Sequence, residues 1–289
     1  MRADARRGTL RAALVPVLAP SVALLLSLAV PAQVPPALES PVAAATTAAL
    51  EFAPAATAFT VPRSSETMEF TVSYLGVAMG KVRLFVGKVD PTIAPVFLQA
   101  QTSSILSLIN IRQQLATYLD VSTGLPRSGS IDAVEGSYRH TDTVKYDRAT
   151  NKATIREKGK YDNTYLVDVP PDTVDFVALI YRLRSLRLEP GAKHDFRVLA
   201  GRQVNEVVAE VVGREKVETK AGTFQAVKVR VPTGFTGKFS EKNPTFVWFS
   251  DDARRIVVRI SADFAIGHAT AGLVSYSPGA SPSETASSR

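Results

Sequence analysis

The sequence predicts a mainly β protein of the α+β kind: an antiparallel, strongly curved sheet or open barrel in two coupled lobes, with one long helix covering the apolar face. Three observations predict it. Apolar and polar residues alternate with a period of two in many short segments, as they do in strands with one buried face. A single segment, 172–188, carries apolar residues at helical spacing. Strands and helices do not alternate along the chain, which argues against a doubly wound nucleotide-binding fold.

The first strand is Glu69-Phe70-Thr71-Val72-Ser73-Tyr74 and the second Lys81-Val82-Arg83-Leu84-Phe85-Val86. The link between them, with Gly76 and Gly80, suits a hairpin. Further strands are predicted at 96–104, 113–121, 138–146, 152–158 and 161–167, separated by turn residues such as Asp90-Pro91 and Ser122-Thr123-Gly124. The helix is expected to start at Asp172 as N-cap, with Asp175 near the positive end of its dipole. Val177, Ile180 and Leu183 mark its apolar face, Arg182, Arg184 and Arg187 its C-terminal end, and Glu189-Pro190-Gly191 its stop. A second set of strands follows at 195–199, 204–212, 215–219, 224–231, 246–250, 255–261 and 272–276.

Both ends of the chain differ from this pattern. Arg2, Arg6, Arg7 and Arg11 precede an apolar stretch, 12–30, and Val30-Pro31-Ala32 offers small residues before Gln33, which is the layout of a cleavable secretory signal. Pro16 and Pro20 suit a signal core better than a spanning helix of roughly 20 residues. Arg6-Arg7 leaves both the general and the twin-arginine export routes open. Residues 33–63, rich in Ala, Pro and Thr, read as a disordered linker, and 277–289 as a disordered tail. The β-rich domain is thus expected over 64–276, in lobes of about 64–169 and 190–276 joined by the helix. An exported protein of the periplasm is the expectation, with secretion or association with the envelope as the alternatives, and with no stable transmembrane segment after cleavage.

The chain has no cysteine, which excludes disulfides, thiolate metal sites, cysteine nucleophiles and a lipid-modified cysteine. Its formal charge is +7, from 34 basic and 27 acidic residues. Without the four arginines and one aspartate of the signal, 30 and 26 remain, an excess of four. So mild an excess, with no basic block, is poor ground for nucleic-acid binding.

Several stretches resemble the bacterial family of domain of unknown function 3108. They are Tyr74-Leu75-Gly76-Val77-Ala78-Met79-Gly80-Lys81, Leu125-Pro126, residues 175–184, and Val212-Gly213-Arg214-Glu215 with residues 221–229. The last is Val247-Trp248-Phe249-Ser250-Asp251-Asp252. Where the family usually has a proline after the acidic turn, this chain has Arg254-Arg255-Ile256. The resemblance implies an exported β-rich fold with open, curved sheets like those of envelope lipid and lipoprotein carriers. It supplies no catalytic residues.

No catalytic constellation stands out. His140, His194 and His268 lie far apart and outside any metal-ligand motif, and no Gly-x-Ser-x-Gly elbow is present. Asp251 and Asp252 with Glu241 could pair as glycosidase carboxylates, but Asp between two strands more often builds a turn. No cofactor, metal or catalytic residue is therefore assigned. Trp248, Tyr181 and Arg184 are the candidate ligand-binding residues: two aromatics with a polar tip, and a cation beside the apolar helix face. Arg184 is expected to pair with Asp251 or Asp252, or to meet an anionic headgroup. The expected function is a non-enzymatic envelope protein that binds an apolar or amphipathic ligand or an envelope polymer. The alternatives are a partner in an envelope-biogenesis complex and, behind that, a hydrolase.

Overall fold

The computed structural model describes residues 64–102, 111–159, 162–232, 245–264 and 267–279. The first eight strands form a meander: β1 (Glu66–Tyr74), β2 (Val77–Val86), β3 (Ile93–Thr102), β4 (Ile111–Asp120), β5 (Pro126–Glu135), β6 (Tyr138–Asp147), β7 (Lys152–Lys158) and β8 (Asn163–Asp168). The helix α1 (Phe176–Ser185) follows. A second meander, β9 (Lys193–Ala200), β10 (Gln203–Thr219), β11 (Gly222–Val231), β12 (Thr245–Ser250), β13 (Val257–Phe264) and β14 (Gly267–Pro278), then returns to the first strand. Among the described residues all fourteen strands lie in one antiparallel sheet, ordered β8-β7-β6-β5-β4-β3-β2-β1-β14-β13-β12-β11-β10-β9. The two strand sets are joined in one sheet, because β14 pairs along the whole of β1, from Glu66↔Pro278 to Tyr74↔Ala269.

The sheet curls around a lumen. Inward positions of β1 (Met68, Phe70, Val72), β2 (Leu84, Val86), β11 (Val227, Val229, Val231) and β12 (Val247, Phe249) are buried, with partly or fully exposed residues between them on β1, β2 and β11. They pack on α1, of which Val177, Ala178, Leu179, Ile180, Tyr181 and Leu183 are buried. A helix apolar on nearly every side belongs inside a core, and each large side chain removed from water contributes about 1.5–3 kcal/mol.

The helix is ten residues long rather than the expected long element, and it starts at Asp175, not Asp172. The Asp175 side chain accepts the Ala178 amide at 2.8 Å. The preceding segment is stitched to β9 instead: Val174 N donates to Arg197 O and Leu199 N to Val174 O, both at 2.8 Å. Asp172 pairs with Arg197 at 2.7 Å, and Arg148 reaches across to the carbonyls of Pro126, Pro171 and Thr173. At the other end Leu186 is already extended (φ −85°, ψ 159°), before the Glu-Pro-Gly stop.

Other elements also depart from expectation. β5 is a strand that its sequence, with Gly129 and Ala133 facing inward, does not advertise. β10 is continuous through Val212-Gly213, where a bulge leaves Val212 without a partner opposite. β14 runs two residues past Tyr276, into the expected tail. The expected signal and linker, and the rest of the tail, lie outside the described residues.

The edges of the sheet are β8 and β9. Among the described residues no backbone ladder joins them. They are held by side chains: Leu199 and Val204 pack with Ile155, Tyr165 and Val167, Arg202 lies over the Tyr165 ring at 4.4 Å, and its Nε sits 3.6 Å from Glu157 Oε1. The barrel is thus closed by a seam of side chains rather than by hydrogen bonds.

Candidate functional site

Tyr181 and Arg184, three residues apart, share a face of α1 and meet the start of β1. The Arg184 guanidinium grips Glu66 through two nitrogens, one contact being Nη2 to Oε2 at 3.1 Å. It also donates to the carbonyls of Arg255 (2.8 Å) and Arg254 (3.1 Å). Tyr181 Oη donates to Glu66 Oε1 at 3.2 Å, and the guanidinium stacks over the Tyr181 ring at 4.8 Å. Both charged side chains are under 10% exposed. Burial opposes the charge on Arg184, but Glu66 outweighs it and its pKa is raised. Burial likewise pushes the Tyr181 phenol well up. The partner of Arg184 is therefore Glu66 and not the expected Asp251 or Asp252. Sequence reasoning missed Glu66 because it stands ahead of the first clear alternation.

Two cavities flank the helix start. One, about 60 Å³, is lined by Phe70, Val72, Leu84, Leu98, Ile260 and neighbouring apolar side chains. The other, about 90 Å³, lies between β4–β7 and the β9–β10 turn and is lined by Asp142, Tyr146, Glu157 and Asp175 among apolar residues. Leu115, Phe176 and Val177 belong to both walls.

The second cavity has unused polar capacity. Tyr146 is 7% exposed, and its hydroxyl has no hydrogen-bond partner among the described residues. Glu157 Oε1 has only the long contact with Arg202. Asp142 and Glu157 stand directly opposite each other on β6 and β7. Burial first, with the neighbouring Glu157 charge, raises the Asp142 pKa, although His140 opposes the shift. The His140 ring is buried, both its nitrogens lack hydrogen bonds, and Nε2 is 4.0 Å from Asp142. Asp175 is raised by burial despite the Ala178 amide and the Thr117 hydroxyl, which donates at 3.0 Å. Such a site suits a hydroxyl or another group able to donate to carboxylates.

A family model described as a protein of unknown function, DUF3108, matches residues 69–274. The chain belongs to the DUF3108 family. The matched span runs from β1 into β14, so the DUF3108 domain comprises the sheet and its helix together. Among solved structures, a β-barrel-like protein of domain of unknown function 1849 from Brucella abortus is similar at 9% identity and a TM-score of 0.53, over 76% of this chain and 100% of that one. A Bacteroides fragilis protein described as exported, with a YmcC-like fold, is similar at 12% identity and TM-score 0.28, over 76% of this chain and 99% of that one. A Parabacteroides distasonis protein described as a lipoprotein is similar at 10% identity and TM-score 0.29, with the same coverages. The first likeness supports the barrel-like fold; the other two score too low to bear on it. No curated protein matches the chain.

Trp248 is not brought to the other two candidates of this DUF3108 domain. It lies on the face of β12 opposite to Val247 and Phe249, where its indole donates to Glu215 at 2.5 Å and Lys228 caps the ring at 5.0 Å. Asp252 builds the β12–β13 turn, accepting from Ser250 Oγ (2.8 Å) and Arg254 N (3.0 Å). Asp251 pairs with Arg214 at 2.8 Å. Glu241 lies outside the described residues. Among the described residues no group of three His, Asp or Glu side chains is placed to hold a metal ion, and no helix is long and apolar enough to cross a membrane, which says nothing about spanning by strands.

Proposed function

We propose that this protein is a non-enzymatic binding protein of the cell envelope that takes an amphipathic ligand into its lumen. The observation that carries this reading is the pair of cavities that share Leu115, Phe176 and Val177 as wall residues, one apolar but for Tyr181 and the other holding the unpartnered Tyr146 hydroxyl beside Asp142 and Glu157. An apolar tail fits the first chemistry and a hydroxyl-bearing head the second. Each cavity alone is smaller than the roughly 150 Å³ void that holds a benzene. Ligand entry therefore requires Phe176 and Leu115 to swing aside and the β8–β9 seam to open. The N-terminal signal pattern supports an envelope location. Asp251 and Asp252, tied to arginines and to their own turn, lend no support to a hydrolase.

The test is native mass spectrometry and lipid extraction of the protein purified from its own membranes. A co-purifying amphiphile is expected. Val177→Trp, which fills both cavities, is expected to reduce the bound amphiphile at least tenfold in molecules that remain folded. An empty lumen in protein taken from membranes, or loading indifferent to this substitution, would sink the proposal.

A further inference from the structure

A cavity larger than either of those beside the helix lies outside the lumen, on the outer face of β1–β4. It is a groove of about 420 Å³, within the range of roughly 300–1,000 Å³ typical of ligand sites. Strand register builds it in rows. Thr71, Lys81, Gln101 and Arg112 stand opposite one another in sequence across the four strands, and Glu69, Arg83, Gln99 and Gln114 form the next row. A third row carries Phe85 and Phe97, stacked at 4.9 Å, with Tyr118 edge-on to Phe97 at 6.3 Å and 38% exposed.

The groove exists because the sheet bends there. In the β1–β14 ladder Glu69 faces Ser275 and Phe70 faces Leu273, so Val274 is the extra residue of a bulge, and it lines the groove. In β2 a second bulge leaves Met79 unpaired. Bulges kink strands and sharpen their twist. Beyond Thr71, a Cβ at Gly272 would meet nothing within 4 Å, so the groove is open on that side.

The chemistry of this surface differs from that of an ordinary solvated face. None of the ion pairs among the described residues involves Lys81, Arg83 or Arg112. The one acid in the groove, Glu69, accepts from Ser275 Oγ at 3.0 Å. Lys81 and Arg83 are separated by about 6.6 Å of strand, and Lys81 and Arg112 by two strand spacings, roughly 10 Å. Three amides fill the spaces between these cations, and each can both donate and accept. Guanidinium and ammonium groups match carboxylate, sulfate or phosphate, amides match hydroxyls, and an aromatic row beside them offers stacking faces.

We propose that this groove binds an acidic polysaccharide, with the anionic groups on Lys81, Arg83 and Arg112 and the sugar hydroxyls on Gln99, Gln101 and Gln114. The three cations are exposed, but they line a concave groove with amides between them, which favours a hydroxyl-rich chain lying in the groove over a flat anionic bilayer. The site is on the opposite face of the sheet from the lumen, and the proposal stands whatever the lumen holds.

The experiment is calorimetric titration of the purified chain with oligogalacturonate and with dextran sulfate, against methyl-esterified oligogalacturonate and plain dextran as neutral counterparts. Phosphatidylglycerol vesicles form a separate arm. Saturable binding of at least one acidic oligomer is expected, at least tenfold tighter than its neutral counterpart and weakening as salt rises. The combined variant Lys81→Gln, Arg83→Gln, Arg112→Gln should lose at least tenfold in affinity with its thermal midpoint unchanged, whereas Arg187→Gln stays within twofold. Bound oligomer should also protect Lys81 of the unaltered chain from acylation, a readout that needs no variant. Binding to vesicles alone, no saturable binding to either acidic oligomer, or binding without loss in the combined variant and without Lys81 protection would each overturn the proposal.

Discussion

Glu66 and Arg184 are 118 residues apart in the chain and meet in a buried pair that also recruits Tyr181 and the carbonyls of Arg254 and Arg255. Removing one partner strands the other's charge, which costs about 3–5 kcal/mol. Arg184→Ala should therefore lose about that much in urea unfolding, while Arg184→Met with Glu66→Leu should recover most of it; equal losses in both would disprove the account. Asp142 behaves oppositely. Its pKa is raised in the folded state, chiefly by burial, as is that of Asp175. Between the ordinary carboxylate value and the raised one, the folded chain keeps a proton that the unfolded chain has released, so stability falls as pH rises through that window. Asp142→Asn removes this contribution: the variant should match the parent near pH 3 and exceed it at pH 7, with Asp175 leaving a residual slope. A thermal midpoint at pH 7 below the parent's would refute the assignment. The acid site was only half legible. His140 and Asp142 are two apart on a predicted strand and so share a face, yet that Glu157 stands opposite Asp142 depends on the β6–β7 register, which residue types at those positions do not specify.

Strands with strong alternation, such as β1, β2 and β11, were legible because one face must be buried. Those built on small inward residues were not: β5 turns Gly129 and Ala133 inward and shows no contrast. The helix was recognisable by its apolar spacing, but its start was set by tertiary contacts, since Val174 bridges to Val198 and holds residues 172–174 out of the first turn. The seam between β8 and β9 is the element-scale feature with most bearing on the lumen. Side-chain contacts without a ladder should open at lower free energy than the paired strands. The Arg202–Glu157 pair is partly exposed and long, so Arg202→Ala should cost no more than about 1 kcal/mol of global stability. Amide exchange in β8 and β9 should nonetheless rise selectively; exchange rising evenly across all strands would show that the seam is not a separate unit.

At the scale of the molecule, the family match over 69–274 and the barrel-like likeness agree with a sheet whose closure uses both meanders. The helix fills the lumen and is flanked there by two small cavities, while a roomier concavity lies on the outer face where β1, β2 and β14 are bulged. The lumen and the outer groove can thus be addressed by separate substitutions, Val177→Trp for one and the three cations for the other, and neither is expected to alter binding at the other.

The pairing of β1 with β14 also orders events in time. A chain made from its N-terminus presents β1 long before β14, whose partner residues lie about 200 positions later, from Tyr74↔Ala269 to Glu66↔Pro278. Until the last strand arrives, β1 keeps one edge free, and Arg184 cannot be enclosed by the β12–β13 turn. The fold is therefore locked only when its last strand arrives, which leaves a transient sticky edge until then. A chain ended at residue 264 keeps that edge permanently and should aggregate on refolding from urea, whereas adding a peptide of residues 267–279 in excess should suppress the aggregation. Clean monomeric refolding of the shortened chain would argue that closure is not the final step.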